Sequence, residues 1–167
     1  MPETTNSNEA REKVYEMIKD IKVAQMVTQD RDGRLYARPM WAQQKEHEAD
    51  LWFFTEVSSP KIEEIKFNPN IVLSYSDPDS QNYVSLSGRA EVTTSQAEID
   101  KRWNESLRTW FPQGKDDNQI ALIRFTPESA EYWDAPSSKL VHAYGYVKAV
   151  VTGEKPEAGD NKKVAMR

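Results

Sequence analysis

Apolar residues change their spacing several times along this chain, and each change marks an element. Val14, Met17, Ile18 and Ile21 recur at three-to-four spacing, with Glu and Lys between them. That period builds one apolar stripe on a helix over residues 9–20, with Asn8 in position to cap it. From Val23 the pattern shifts to the short apolar runs of strands. Val23–Thr28 leads into Asp30-Arg-Asp-Gly33, whose Asp-Gly pair signals a hairpin, and the return strand runs from Leu35 to about Gln43. Pro39 interrupts it, which implies an edge, a bulge or a place where a ligand meets the backbone. A turn around His47 precedes a third strand, Asp50–Thr55.

Pro60–Phe67 reads as a second helix. Proline suits a first helical position, where its missing N–H would have no partner, and Asn68-Pro69 forbids continuation. Ile71–Tyr75 and Tyr83–Val92 are strands, the second with Gly88 at a bulge. Ser95 caps a third helix from Gln96 to about Trp103. A loop containing Trp110-Phe-Pro-Gln-Gly114 then precedes Ile120–Phe125, and more strand-like sequence lies at Ser129–Asp134 and Leu140–Val151. Residues 1–8 read as a disordered N-terminus and 152–167 as a flexible tail, leaving one domain over 9–151. Many short strands with few, short helices predict a mostly β fold, a small antiparallel barrel with flanking helices. No Gly-x-Gly-x-x-Gly fingerprint supports a doubly wound parallel sheet.

Composition removes several classes of function. The net charge of −5 and the lack of a basic stripe argue against nucleic acid as a partner. No cysteine is present, which excludes thiol catalysis and disulfides. His47 and His142 are the only histidines, so no metal site is expected, and no Gly-x-Ser-x-Gly elbow marks a serine hydrolase. No spanning segment or signal peptide is apparent, so the expectation is a cytoplasmic protein with no membrane partner.

Chemistry concentrates at Leu51–Lys61, where an apolar strand delivers Ser58, Ser59, Pro60 and Lys61 to a helix start. Hydroxyls, unpaired N–H groups and a lysine meet there at the positive end of a helix dipole, which suits a phosphate. An ordinary serine cap with a solvated lysine fits the same residues. Arg38 offers a second cation able to grip a phosphate bidentately, although alone it is equally a surface arginine on an edge strand. Of the five tryptophans, most are expected in the core. Trp110 and Trp133 lie where they could stack on a ligand ring.

These segments resemble the pyridoxamine 5′-phosphate oxidase-related, FMN-binding split-barrel family, and within it the general stress protein 26-like branch. The carriers are Arg38-Pro39-Met40, Phe53-Phe-Thr-x-x-x-Ser-x-Lys61 with Asn68-Pro69, Val84–Glu91, Trp110-Phe-Pro-x-Gly114 and Glu131-Tyr-Trp133. The resemblance spans roughly residues 9–151. It implies a six-stranded antiparallel split β-barrel forming a homodimer, with one FMN in each of two grooves between subunits. It also implies that Arg38, Ser59 and Lys61 hold the FMN phosphate. Pro39, Met40 and Trp41, with Phe54 and Thr55, would line the ring and ribityl chain, and Trp133 would reach the other subunit's cofactor. The family's Arg-Leu-His substrate segment is replaced here by Lys139-Leu-Val-His142, which puts pyridoxamine phosphate oxidase activity itself in doubt. No general base stands out, so catalytic residues remain unassigned. A flavin-dependent oxidoreductase serving a stress response, with NAD(P)H or another small electron donor, is the leading expectation. The alternatives are a flavin-binding or storage protein without turnover, and FAD in place of FMN.

Overall fold

The computed structural model describes residues 4–5, 8–43, 48–135, 146, 148–153 and 159–167, and in it the changes of period become elements. Helix α1 (Asn8–Asp20) buries Ala10, Val14 and Ile18 on one stripe. The hairpin of β2 (Val23–Gln29) and β3 (Leu35–Trp41) pairs Met26 with Arg38 and Gln25 with Pro39. At its tip Gly33 takes a φ of +82°, a conformation costly for other residues. The Asp30 carboxylate accepts the backbone N–H groups of Asp32 and Arg34. Strand β4 (Leu51–Glu56), helix α2 (Pro60–Phe67), strands β5 (Asn70–Asp77) and β6 (Asn82–Thr93) and helix α3 (Gln96–Arg102) follow. A short 3-10 helix at Glu105–Thr109 was not anticipated from the sequence.

Strand β7 (Ile120–Asp134) joins into one element what the sequence presents as two. It bends where the β6–β7 register shifts between Ser87 and Gly88, and Pro127 lies opposite Gly88. A Cβ at Gly88 would stand 2.2 Å from the Thr126 carbonyl oxygen, so only glycine lets the strands approach. The expected bulge is therefore present, and its cause is this close approach.

With β1 (Thr4–Thr5) and β8 (Asp160–Ala165), the described strands form one sheet ordered β1-β8-β7-β6-β5-β2-β3, with β4 pairing β7 off this path. One edge of β7 thus carries β4 along Ile120–Phe125 and then β8 along Ser129–Asp134. Strands β2–β7 make a six-stranded antiparallel ring. Among the described residues, it is closed between β3 and β4 by the Ala42–Phe53 bridge and a 2.7 Å hydrogen bond from the Gln43 N–H to the Trp52 carbonyl. This is a barrel with a split. The expected count of six describes the ring, and the sheet has eight strands.

The ring and α1 enclose a core that includes Met26, Phe53, Leu73, Leu86 and Phe125. A smaller second cluster, with Trp52, Ile99, Leu107, Phe111 and Leu122, packs α3 and the 3-10 helix against the outside of β4 and β7.

The chain ends depart from expectation. The two-residue strand β1 (Thr4–Thr5), inside the segment read as disordered, pairs in parallel with β8 (Asp160–Ala165), inside the segment read as a flexible tail. Val164 is fully buried and Met166 nearly so. The segment Asp160-Asn-Lys-Lys-Val-Ala165 has too few apolar positions for a strand period, and its pairing is supplied by the free edge of β7. Residues 148–152 are helical, not strand. Tyr146 is helical as well, and the remainder of Leu140–Val151, the Lys139–His142 segment and His47 lie outside the described residues. Among those described, no helix is long and apolar enough to cross a membrane.

Candidate functional site

The split in the barrel makes the site. Continued antiparallel pairing beyond the Ala42–Phe53 bridge would set Trp41 against Phe54, Met40 against Thr55 and Pro39 against Glu56. The strands part instead, and these six residues line a cleft of about 210 Å³. A proline belongs on an edge without a neighbour, which is what β3 presents on this side. Leu107, Trp110 and Phe111, from the 3-10 helix and the turn after it, complete the apolar wall.

Lys61, in the first turn of α2, closes the cleft's polar end. Its ammonium donates to Thr55 Oγ1 at 3.0 Å and to Ser59 Oγ at 2.6 Å. Ser59 occupies the N-cap position of α2, yet its hydroxyl makes no capping hydrogen bond. The plain-cap reading therefore fails for this side chain, which is turned to the lysine. Partial burial and, after it, the charge of Arg38 push the Lys61 pKa below its ordinary 10.5, while Glu64 and Glu56 pull the other way.

Arg38 is held behind this cation. One terminal nitrogen donates to Thr28 Oγ1 at 2.5 Å and the other to Glu64 Oε2 at 2.9 Å. The Thr28 hydroxyl donates in turn to the same Glu64 oxygen. Neither Glu64 nor Thr28 was singled out from the sequence. Glu64 was within reach, because it follows Lys61 by three positions on α2 and so shares its face.

At the cleft's rim Trp41 and Trp110 pack with ring centroids 5.5 Å apart, and each leaves about half its surface in solvent (45% and 51%). Phe54 meets Trp103 and Phe111 behind them. Trp133 is elsewhere. It stands on β7 between Tyr83 of β6 and Asn161 of β8, is 41% exposed, and does not line the cleft of its own chain.

A larger depression of about 480 Å³ lies on the outer face of β4, beside α3. Its cations are occupied. Arg102 stacks 3.6 Å over Trp52 and pairs with Glu48 and Glu98, Lys101 pairs with Glu48, and Arg124 pairs with Asp50. These contacts clamp α3 to the barrel.

Comparison with known proteins agrees with this geometry. A family model described as pyridoxamine 5′-phosphate oxidase like matches residues 9–157. General stress protein 26 of Bacillus subtilis (strain 168) is 30% identical over 135 residues, covering 78% of this chain and 92% of that protein. A crystal structure of a general stress FMN/FAD binding protein from Xanthomonas citri is 28% identical with a TM-score of 0.68, covering 79% of this chain and 93% of that one. A structure described provisionally as a general stress protein 26, from Jannaschia sp. CCS1, is 22% identical with a TM-score of 0.76, covers 95% and 99% of the two chains, and shows the shared fold.

Proposed function

The chain belongs to the pyridoxamine 5′-phosphate oxidase-like family, and on that premise we propose that it is an FMN-binding flavoprotein of the cytoplasm, a flavin-dependent oxidoreductase serving a stress response. The observation that carries the reading is Lys61. Its ammonium is partly buried, its hydrogen bonds go to two hydroxyls, no carboxylate pairs with it among the described residues, and Arg38 stands close enough to depress its pKa. A phosphate satisfies both cations at once. In this reading Arg38, Ser59 and Lys61 hold the FMN phosphate.

The unpaired edges of β3 and β4 support the rest of the ligand. The backbone along Pro39, Met40 and Trp41, and along Phe54 and Thr55, turns alternate residues to that open side, which suits a polar ribityl chain and the edge of a flavin ring. Trp41 and Trp110 supply apolar cover. The cleft is smaller than the roughly 300–1,000 Å³ usual for such ligands, so one chain offers part of a site. The exposed apolar residues Leu35, Tyr36 and Trp41 on β3 suit a second copy. The proposal is thus a homodimer with a flavin at each interface and Trp133 contributed across it.

Bound FMN supplies hydride or electron transfer through its ring, and NAD(P)H is the proposed donor. The protein's own part is to bind the phosphate, orient the ring and exclude water. Glu56 and Lys61 are the titratable residues lining the described cleft, with no histidine or tyrosine among them. That sparseness favours a second reading, flavin binding or storage without turnover, and FAD is the alternative flavin given the Xanthomonas citri relative.

Titration of the purified protein with FMN, followed by the visible spectrum and by quenching of flavin fluorescence, tests the reading. Saturable binding with a perturbed flavin band is expected, and no binding would overturn it. NADH or NADPH oxidation by the flavin complex then separates oxidoreductase from storage protein.

A further inference from the structure

Resting on the FMN-phosphate reading above, we infer that Glu64 is a positioning residue, which holds Arg38 through a bridge at Thr28 in the orientation that a phosphate monoester requires.

Three elements meet in this network. Thr28 comes from β2, Arg38 from β3 and Glu64 from α2, one turn beyond Lys61. Thr28 is 1% exposed, and the Arg38 and Glu64 side chains are 23% and 11% exposed. A threonine hydroxyl has one hydrogen and two lone pairs. Here the hydrogen goes to Glu64 Oε2 and a lone pair takes an N–H of Arg38, so the hydroxyl is fixed in rotation. The second Arg38 contact lands on that same Glu64 oxygen.

Arg38 needs such a hold. Its strand is an edge of the sheet, and the Tyr36 ring two residues back, 5.9 Å from its guanidinium carbon, gives it cover on one side. A long side chain left free would lose its rotamer freedom when an anion binds, and fixing it beforehand removes that cost. The two contacts use two of the five N–H donors of a guanidinium, which leaves three to offer an anion.

Glu64 also carries a negative charge near the proposed phosphate, so removing it has two opposed effects. Loss of the anchor weakens phosphate binding, and loss of the charge strengthens it. Positioning predicts that the anchor dominates. Because both bonds land on one oxygen, a glutamine carbonyl can replace it.

The test compares FMN with riboflavin, the same flavin without the phosphate, in titrations of the full-length protein, with thermal melts as the folding control. Wild type is expected to prefer FMN. Glu64→Ala should reduce that preference about tenfold, since the ordering cost of Arg38 returns to the ligand, with riboflavin affinity unchanged. Glu64→Gln should recover most of it. A preference in Glu64→Ala equal to or greater than wild type overturns the inference. Should Glu64→Ala not fold, Thr28→Val reads the same network, and an unchanged preference there overturns it. A wild type that binds both flavins alike defeats the phosphate assignment itself, and the role of Glu64 with it. A wild type that prefers FMN, with that preference undiminished in Glu64→Ala, defeats the role of Glu64 and leaves the phosphate assignment standing.

Discussion

Lys61 shows how one side chain can carry two readings until its contacts are known. Next to Pro60 it was equally a solvated lysine after a serine cap. In the fold Ser59 leaves the cap vacant and accepts the ammonium instead. Ser59 and Lys61 could be grouped from the sequence because they share one strand-to-helix junction, whereas Arg38 reaches them from β3. Thr28 and Glu64 were not legible, because their role is a relation between three elements that no local pattern encodes. The depressed Lys61 pKa gives a pH dependence. In the proposed site the ammonium form of Lys61 binds the phosphate, so FMN affinity should hold through neutrality and fall as pH rises through a value below 10.5. It should also fall on the acid side near a phosphate's second pKa of about 6. Lys61→Arg, always protonated, should abolish the alkaline fall, as FMN titrations across pH will show. Lys61→Ala and Arg38→Ala should each weaken FMN by about 1–3 kcal/mol, the usual worth of a charge-assisted hydrogen bond.

Among the elements, strong periods were read well and borrowed ones were missed. Helices α1, α2 and α3 and strands β2–β6 follow the sequence closely, α1 through its stripe, β2, β5 and β6 through alternation, and α2 and α3 through their start and stop residues. Strand β8 does not, since Val164 is its only fully buried residue and the edge of β7 decides its conformation. Pro39 was open to three readings, an edge, a bulge or a place where a ligand meets the backbone, and the structure gives the edge. Gly88 is the sharpest test at this scale. Gly88→Ala would press a methyl group into the Thr126 carbonyl and the Phe125 ring, whose nearest atom is 2.9 Å away. Destabilisation of about 2–4 kcal/mol is expected in urea unfolding, at the upper end for point substitutions. A loss under about 0.5 kcal/mol, the range of neutral surface changes, would mean the bulge relaxes freely.

For the whole molecule, the small antiparallel barrel was legible from the run of short strands and turn signals and the count of six came from the family resemblance, whereas the assembly state is not written in one chain's pattern. The undersized cleft and the exposed face of β3 make a definite expectation. Sedimentation should give a particle near twice the 19.2 kDa chain, and Leu35→Glu should shift it toward monomer with weaker FMN binding. A monomer that binds FMN tightly would remove the interface from the site. The closure of the ring has a consequence in time. The β2–β3 and β5–β6 hairpins join near neighbours in sequence, but β4 meets β7 only through pairs such as Thr55 with Ala121, across all of β5, β6 and α3. Contacts that distant form slowly, because the intervening chain must be ordered before they repay its entropy. The cleft exists only once β4 is docked beside β3, so the ability to take up a ligand is among the last properties this chain acquires as it folds.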